Sequence, residues 1–391
     1  MYLRRLQLSG FRNYLDLDLT LPTGNLLFIG ANAQGKSNLL EAVYLLASGR
    51  SVRASADIEL IGWQVEAEPQ PVARVFGSVE RRAGPIRLEA IVAGASPGPV
   101  PARAGKRLRV NGIPRRGADF VGQLRAVQFT AEDMATITGS PSERRRFLDS
   151  MLSQLDRRYY AASRRYARIL QQRNAGLKRI RDGQGAVQEL AFWDESLVRE
   201  GAVVVDARAR ACAKLAPLAA SYHRELSGDA MEDLEVAYRP RLAGDERLRL
   251  ESPASAEDFA AMLTGGMHLM RRREIAAGMS LIGPHRDEVE FSINGVSAAS
   301  YGSRAQVRTA TLALRLAEAR LLEQDLADPP VLLLDDIVSE LDERRRRSVL
   351  ASIADFDQVW FTATDTHGFD AAFLETATVY RVEAGRAVLA A

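Results

Sequence analysis

The sequence predicts an α/β protein built around a phosphate-binding loop, with a β-rich N-terminal part and an inserted α-helical lobe. Three observations carry that expectation. Gly30-Ala31-Asn32-Ala33-Gln34-Gly35-Lys36-Ser37 fits G-x-x-x-x-G-K-[ST], and it stands between an apolar run at 26–29 and helical apolar spacing at 38–46. Val331-Leu332-Leu333-Leu334-Asp335-Asp336 reads as a buried strand ending in two carboxylates, far downstream. Between the two lies a long block of helical pattern.

Backbone N–H groups of a glycine loop, together with the helix N-terminus behind it, form an anion site for phosphates. Lys36 would reach the β- and γ-phosphates and the Ser37 hydroxyl would ligate Mg²⁺. Composition sharpens this: only Lys36, Lys106, Lys178 and Lys214 are lysine among 52 basic residues, so a lysine here is a choice. A compact ammonium fits inside such a loop where a planar guanidinium does not.

The remaining elements follow in order. Leu3, Leu6 and Leu8, then Leu15, Leu17, Leu19 and Leu21, alternate as two half-buried strands joined through Gly10-Phe11-Arg12-Asn13-Tyr14. The strand into the loop and its helix come next. The polar stretch at 48–53 either touches nucleotide or is a solvated loop. Short strands are expected at 72–76, 86–92 and 107–110, with a flexible loop at 94–105 and a tight turn at Asn111-Gly112. Ser140-Pro141-Ser142-Glu143 has N-cap, N1 proline and N3 glutamate, a capping box that opens a helix expected to run to about residue 182. Further helices are expected at 187–226 and 256–277. The sheet resumes at 331–336, where Asp335 would hold Mg²⁺ and Asp336 would polarise the attacking water, on a strand expected beside that of the phosphate loop. The strand at 359–364 ends in hydroxyls, where a γ-phosphate sensor would sit.

Composition bounds the rest. The 391 residues suggest two domains or one with a large insertion. The single cysteine, Cys212, excludes an internal disulfide or a cysteine zinc site and suits a reducing cytosol. No apolar leader is seen, and no stretch approaches the roughly 18 residues of a membrane helix, so a cytoplasmic protein with no membrane partner is expected. Net charge is only +2, but cations are dense at 144–181, interleaved with Tyr159, Tyr160 and Tyr166. Arg144, Arg157, Arg164, Arg165 and Arg168 are the candidate nucleic-acid contacts there, against the alternative of a solvated helix face. Arg344–Arg347 reads as a solvated or partner-facing run. The four scattered histidines suggest no metal site, and His285 reads equally as a structural brace or a DNA contact.

Taken together, these motifs resemble the RecF family, ATPases related to the heads of SMC and Rad50 proteins. The resemblance rests on Gly10-Phe11-Arg12-Asn13-Tyr14, the phosphate loop, the stretch from Gly139 through Arg144-Arg145-Arg146-Phe147-Leu148-Asp149, and Gln171-Gln172-Arg173-Asn174. It continues through Gly283-Pro284-His285-Arg286-Asp287, Leu332-Leu333-Leu334-Asp335-Asp336 and Ser339-Glu340-Leu341-Asp342. It implies an ABC-type ATPase head, split into 1–139 and 279–391, with a helical lobe at 140–278. It implies ATP contacts from Gly30, Asn32, Ala33, Gly35, Lys36, Ser37 and Asn38, with Mg²⁺ on Ser37 and Asp335. Lys36 and Asp336 would be catalytic. It further implies an ATP-dependent homodimer in which the signature Ser303-Arg304-Ala305-Gln306 reaches the nucleotide of the partner through Ser303 and Gln306, with Asp342 at the interface. Without the resemblance, Ser303 reads as a helix cap.

The function implied is recombinational repair, replication restart and the SOS response. The dimer would bind double-stranded DNA near ss/ds junctions and assist RecA loading with RecO and RecR, with weak, DNA-stimulated ATP hydrolysis as a switch. Alternatives are an SMC-like ATPase of another process, or a nucleotide-binding docking module with little hydrolysis. Ala33 and Ala305 stand where the resemblance suggests glycine. An alanine forced to φ > 0 costs on the order of 1 kcal/mol, and the consequence is expected to weigh more at Ala305.

Overall fold

The computed structural model describes residues 1–390 except 67, 96–104, 230, 243–253 and 327. The loop expected at 94–105 lies, but for its ends, outside the described residues. Two compact units emerge, one of residues 1–133 with 315–391 and one of residues 134–314. Because 288–293 pair with 234–239, the second unit extends beyond the insertion expected at 140–278.

The first unit opens with β1 (Tyr2–Phe11) and β2 (Tyr14–Thr20), whose alternating leucines enter the core except Leu15, which is exposed. The strand β3 (Gly24–Ile29) leads into the phosphate loop, and α1 (Lys36–Ser48) leaves it. Gly49, at φ 68, ends α1 by donating its N–H to Leu45 O. Then come β4 (Val72–Glu80), β5 (Ile86–Ala93), β6 (Gly105–Val110), β7 (Ile113–Arg115) and β8 (Ala126–Phe129). Asn111 and Gly112 both take positive φ, 52 and 81, which makes the tight turn between β6 and β7.

In the second unit, α2 (Pro141–Leu155) carries the expected capping box, with Ser140 N–H donating to Glu143 Oε2 at 2.6 Å. The single helix expected to about 182 is two. Asp156 leaves the helical region at φ −133 and caps α3 (Arg157–Arg181) by accepting from Arg158 N at 2.6 Å. The unit continues with α4 (Ala191–Ser227), β9 (Leu234–Arg239), α5 (Ala256–Ala277), β10 (Glu288–Ile293) and β11 (Val296–Ser297), the strands forming a small sheet β11-β10-β9. Then α6 (Arg304–Leu326) begins in this unit and ends in the first.

The first unit is completed by β12 (Val331–Asp335), α7 (Glu343–Ser352), β13 (Gln358–Ala363), β14 (Thr378–Glu383) and β15 (Arg386–Leu389). Its two six-stranded sheets have the orders β2-β1-β4-β5-β6-β7 and β15-β14-β3-β13-β12-β8. The second is parallel from β14 to β8. The acid-bearing strand β12 is therefore not beside β3, as expected from the sequence; β13 lies between them. Phe28 on β3 stacks on Trp360 of β13 and Tyr380 of β14, at 4.8 and 5.0 Å between ring centroids, which fixes the strand that feeds the loop. Among the described residues, no helix is long and apolar enough to cross a membrane.

Candidate nucleotide site

The phosphate loop leaves the C-terminal end of β3, where a parallel sheet offers its crevice. Gly30 is demanded by packing: a Cβ there would lie 2.2 Å from Val382 O on β14. The crest at Ala31, Asn32 and Ala33 is exposed, while Gly35 and Lys36 are buried. Lys36 Nζ donates to Gly30 O at 2.6 Å and Ala31 O at 3.0 Å, two carbonyls of its own loop. Burial lowers the pKa of this ammonium from its ordinary value, and the Asp336 and Asp335 carboxylates pull it the other way.

Ser37 Oγ, on the first turn of α1, donates to Asp335 Oδ1 at 2.8 Å. The intervening strand supplies the link that the strand order requires. Thr362 on β13 pairs in register with Asp335 and donates its hydroxyl to the same Oδ1 at 2.7 Å. Thr362 Oγ1 also accepts from Asp336 N at 2.9 Å. Asp336 itself sits at φ 56, a region L residues avoid, with Ser339 Oγ 2.7 Å from its carboxylate. Ser37 and Asp335 together offer two hard oxygen donors of the kind Mg²⁺ takes alongside phosphate oxygens and water. Their chemistry fits that ion.

The bracing of the loop was not foreseen from the sequence. Asn13, in the turn between β1 and β2, donates to Gln34 O at 2.8 Å and accepts from Asn38 Nδ2 at 2.8 Å. Tyr14 OH donates to Gly35 O at 3.0 Å. From the other side, the β14–β15 turn donates Gly385 N–H to Gln34 O and Ala384 N–H to Gln34 Oε1, at 3.2 and 2.7 Å. Arg12 in the same turn as Asn13 forms a two-pronged pair with buried Glu41 on α1, at 2.9 and 2.7 Å. Glu41 also accepts from Ser51 Oγ at 2.5 Å, so the stretch at 48–53 is tied to α1 through Ser51 while Arg50 and Arg53 stay exposed.

The two alanines differ. Ala33 stands at φ 65, so the backbone there is in the region that favours glycine. Ala305 lies in the first turn of α6, needs no positive φ, and accepts from Thr309 Oγ1 at 2.9 Å. Of the two positions, only Ala33 carries the positive φ that an alanine pays for. Ser303 and Gln306 form a reciprocal cap on α6: Gln306 N–H donates to Ser303 Oγ at 3.2 Å and Ser303 N–H to Gln306 Oε1 at 2.9 Å. Asp342 likewise caps α7, accepting from Arg345 N at 2.9 Å, and that bond holds its carboxyl below the usual range.

The basic helices of the second unit resolve into an outer and an inner face. Arg157, Arg164, Arg165 and Arg168 are exposed on α3, Arg165 pairing with Glu200 at 2.8 Å. Arg144 is spent inside the unit, with both prongs on Glu288 at 2.5 and 2.9 Å. Tyr159 and Tyr166 are buried, turned inward by helical spacing, so of the three tyrosines expected among the surface arginines only Tyr160 is partly exposed. His285 braces the same interior, accepting from Tyr166 OH on Nδ1 at 2.7 Å and donating from Nε2 to Ser280 O at 3.2 Å. Desolvation lowers its pKa to about 3.

Comparisons with known proteins agree with this geometry. The family model described as "RecF/RecN/SMC N terminal domain" matches residues 2–387. The "DNA replication and repair protein RecF" of Chloroflexus aurantiacus is 41% identical over 403 residues, covering 99% of each chain. That of Synechococcus sp. (strain JA-2-3B'a(2-13)) is 42% identical, covering 99% of this chain and 97% of its own. The solved "Structure of the recombination mediator protein RecF-ATPrS in RecFOR pathway" superposes with a TM-score of 0.86 at 30% identity, covering 100% of this chain and 98% of that one. An SMC head bound to the C-winged helix domain of ScpA superposes at 0.53 with 16% identity, covering 100% and 98%, a likeness of fold alone. By the full-length match and the phosphate-loop architecture alike, the chain belongs to the RecF family, within the wider group of RecF, RecN and SMC N-terminal domains.

Proposed function

We propose that the chain is an ATP-binding switch of DNA replication and repair. The observation that carries this is the convergence of Lys36, Ser37 and Asp335 at one end of a parallel sheet, with Ser37 and Asp335 in contact at 2.8 Å. Lys36 would exchange its two loop carbonyls for phosphate oxygens, and the backbone from Gly30 to Asn38 would cradle them. Ser37 and Asp335 would hold Mg²⁺, which supplies charge neutralisation at the phosphates. Asp336, strained at φ 56, would orient water for slow hydrolysis. The relatives described as RecF with ATP and its thiophosphate analogue support ATP as the nucleotide.

Ser303, Gln306 and Asp342 would serve a second protomer across an ATP-dependent dimer. Their present work as helix caps leaves the Ser303 hydroxyl at a helix N-terminus, where an anion is favoured. The dimer would grip duplex DNA at ss/ds junctions, with Arg157, Arg164, Arg165 and Arg168 as candidate contacts, and act in the cytoplasm with RecO and RecR toward RecA.

The test is the mass in solution without nucleotide, with ADP and with ATP, each with and without duplex DNA. A dimer that appears with ATP and accumulates in Asp336→Asn supports the switch. A monomer throughout, with ATP bound, would replace it with a nucleotide-binding docking module.

A further inference from the structure

The outward face of the N-terminal antiparallel sheet carries a cleft that the nucleotide site does not use. Strand alternation puts Val75, Leu88 and Leu108 toward the core, and leaves Arg74 and Phe76 of β4, Arg87 and Glu89 of β5, and Arg107 and Arg109 of β6 on the other side. Phe76, Glu89 and Arg109 are direct neighbours across the three strands. A cleft of about 260 Å³ opens there, walled by Arg74, Arg87, Arg109 and Asn111 with Phe76 in its lining.

Charge around the cleft is unbalanced. Four arginines of β4, β5 and β6 meet one carboxylate there, Glu89, which is buried and held by Arg74 and by Arg109 at 3.3 Å, while farther along the same face Glu80 is paired with Arg4 and Asp18 with Arg5. Arg87 and Arg107 are exposed and have no ion-pair partner among the described residues. Arg109 Nε is buried with no hydrogen-bond partner among them. Arg109 lines the cleft together with Arg74 and Arg87, so an anion there meets three guanidinium groups. Cations at alternate positions of one strand, such as Arg107 and Arg109, stand roughly 6.7 Å apart, a row suited to successive charges on a polyanion.

We propose that this face binds single-stranded DNA, with phosphates on Arg87, Arg107 and Arg109 and an unpaired base against Phe76. The ring decides between polyanions. A duplex keeps its bases paired and presents phosphates, and an acidic peptide satisfies only the guanidinium groups; neither uses an aromatic side chain in the cleft. An unpaired base does, by stacking. The inference rests on the DNA-repair reading above and adds to it a surface for the single strand of a junction.

The test measures binding of labelled oligothymidylate, a labelled duplex and polyglutamate to the full chain across a salt series. The variants are Phe76→Leu, which keeps apolar bulk without a ring, and Arg87→Ala with Arg107→Ala at exposed positions. The expected result is that Phe76→Leu weakens oligothymidylate roughly tenfold and leaves duplex unchanged. The double arginine variant should lower the salt slope by about 0.7 for each phosphate it no longer neutralises. ATP affinity should be the same in all three proteins. Equal losses for duplex and single strand would overturn the single-strand assignment, and tight polyglutamate binding abolished in the same variants would make the face a protein dock. Variants that bind oligothymidylate as the parent does would remove this surface and leave the repair reading standing. A parent chain that binds neither DNA would bring down both.

Discussion

Lys36 in the first unit and Arg173 in the second are both buried cations, and their charges are met in different ways. Lys36 rests on two carbonyl oxygens of its own loop. Arg173, fully buried, is bound by Asp194 at 2.7 Å, Glu274 at 2.6 Å and Ser280 Oγ at 2.6 Å, with Glu274 itself fully buried. Arg208 repeats the second pattern, joining Asp149 at 2.7 Å, Pro284 O at 2.7 Å and Asp287 at 3.4 Å. A cation held by neutral carbonyls can trade them for another acceptor without stranding a charge. One held by buried carboxylates cannot. The same kind of motif-rich stretch therefore builds a binding site in one unit and a scaffold in the other.

The largest expected effect tests the scaffold side. Arg173→Ala strands Glu274 and should lower stability by about 3–5 kcal/mol, read by chemical denaturation, while nucleotide affinity of the folded protein stays as it was. A loss under about 1 kcal/mol would erase the contrast, because that is the scale expected of a single neutral hydrogen bond.

Acid tests the same interior. Burial keeps His285 neutral when folded, with its pKa lowered to about 3 from an ordinary value of 6.5. Between these values the unfolded chain binds the extra proton, so stability falls as pH falls, by up to about 1.4 kcal/mol per pH unit. Denaturation midpoints at pH 6.5 and pH 5, the window above most carboxylate titrations, should show that slope, and His285→Asn should flatten it.

The smallest effects compare the two alanines. Ala33→Gly relieves a positive φ and should raise stability by up to about 1 kcal/mol. Ala305→Gly weakens the start of a helix and should lower it by up to about 1 kcal/mol. Opposite signs in thermal unfolding would confirm the assignment of strain; equal signs would break it.

The strands and helix ends were legible because their cause is local. Leucine alternation, the Ser140–Glu143 box and the Asn111-Gly112 turn each declare themselves within a few residues. The phosphate loop was legible for the same reason. What could not be read depends on pairing across long separations. Nothing near Asn13 or Ala384 says that both will meet Gln34, and nothing in β12 says that β13 will stand between it and β3. Asp156 was hidden because a capping aspartate inside a long arginine-rich pattern looks like one more helical position. Tyr159 and Tyr166 misled for a related reason: a cation-rich run draws attention to charge, while their 3.6-residue phase placed them inward. Thr362 was visible as a strand-end hydroxyl, but its bond to Asp335 needed the sheet order.

The most direct measurement is calorimetric titration of ATP with Mg²⁺ into the parent chain and Lys36→Ala, with thermal unfolding of both in the absence of nucleotide. The expected result is saturable binding to the parent, none detectable to the variant, and unfolding midpoints that differ by no more than the loss of the two Lys36 hydrogen bonds to Gly30 O and Ala31 O explains. Unchanged ATP affinity in Lys36→Ala would contradict the nucleotide site itself.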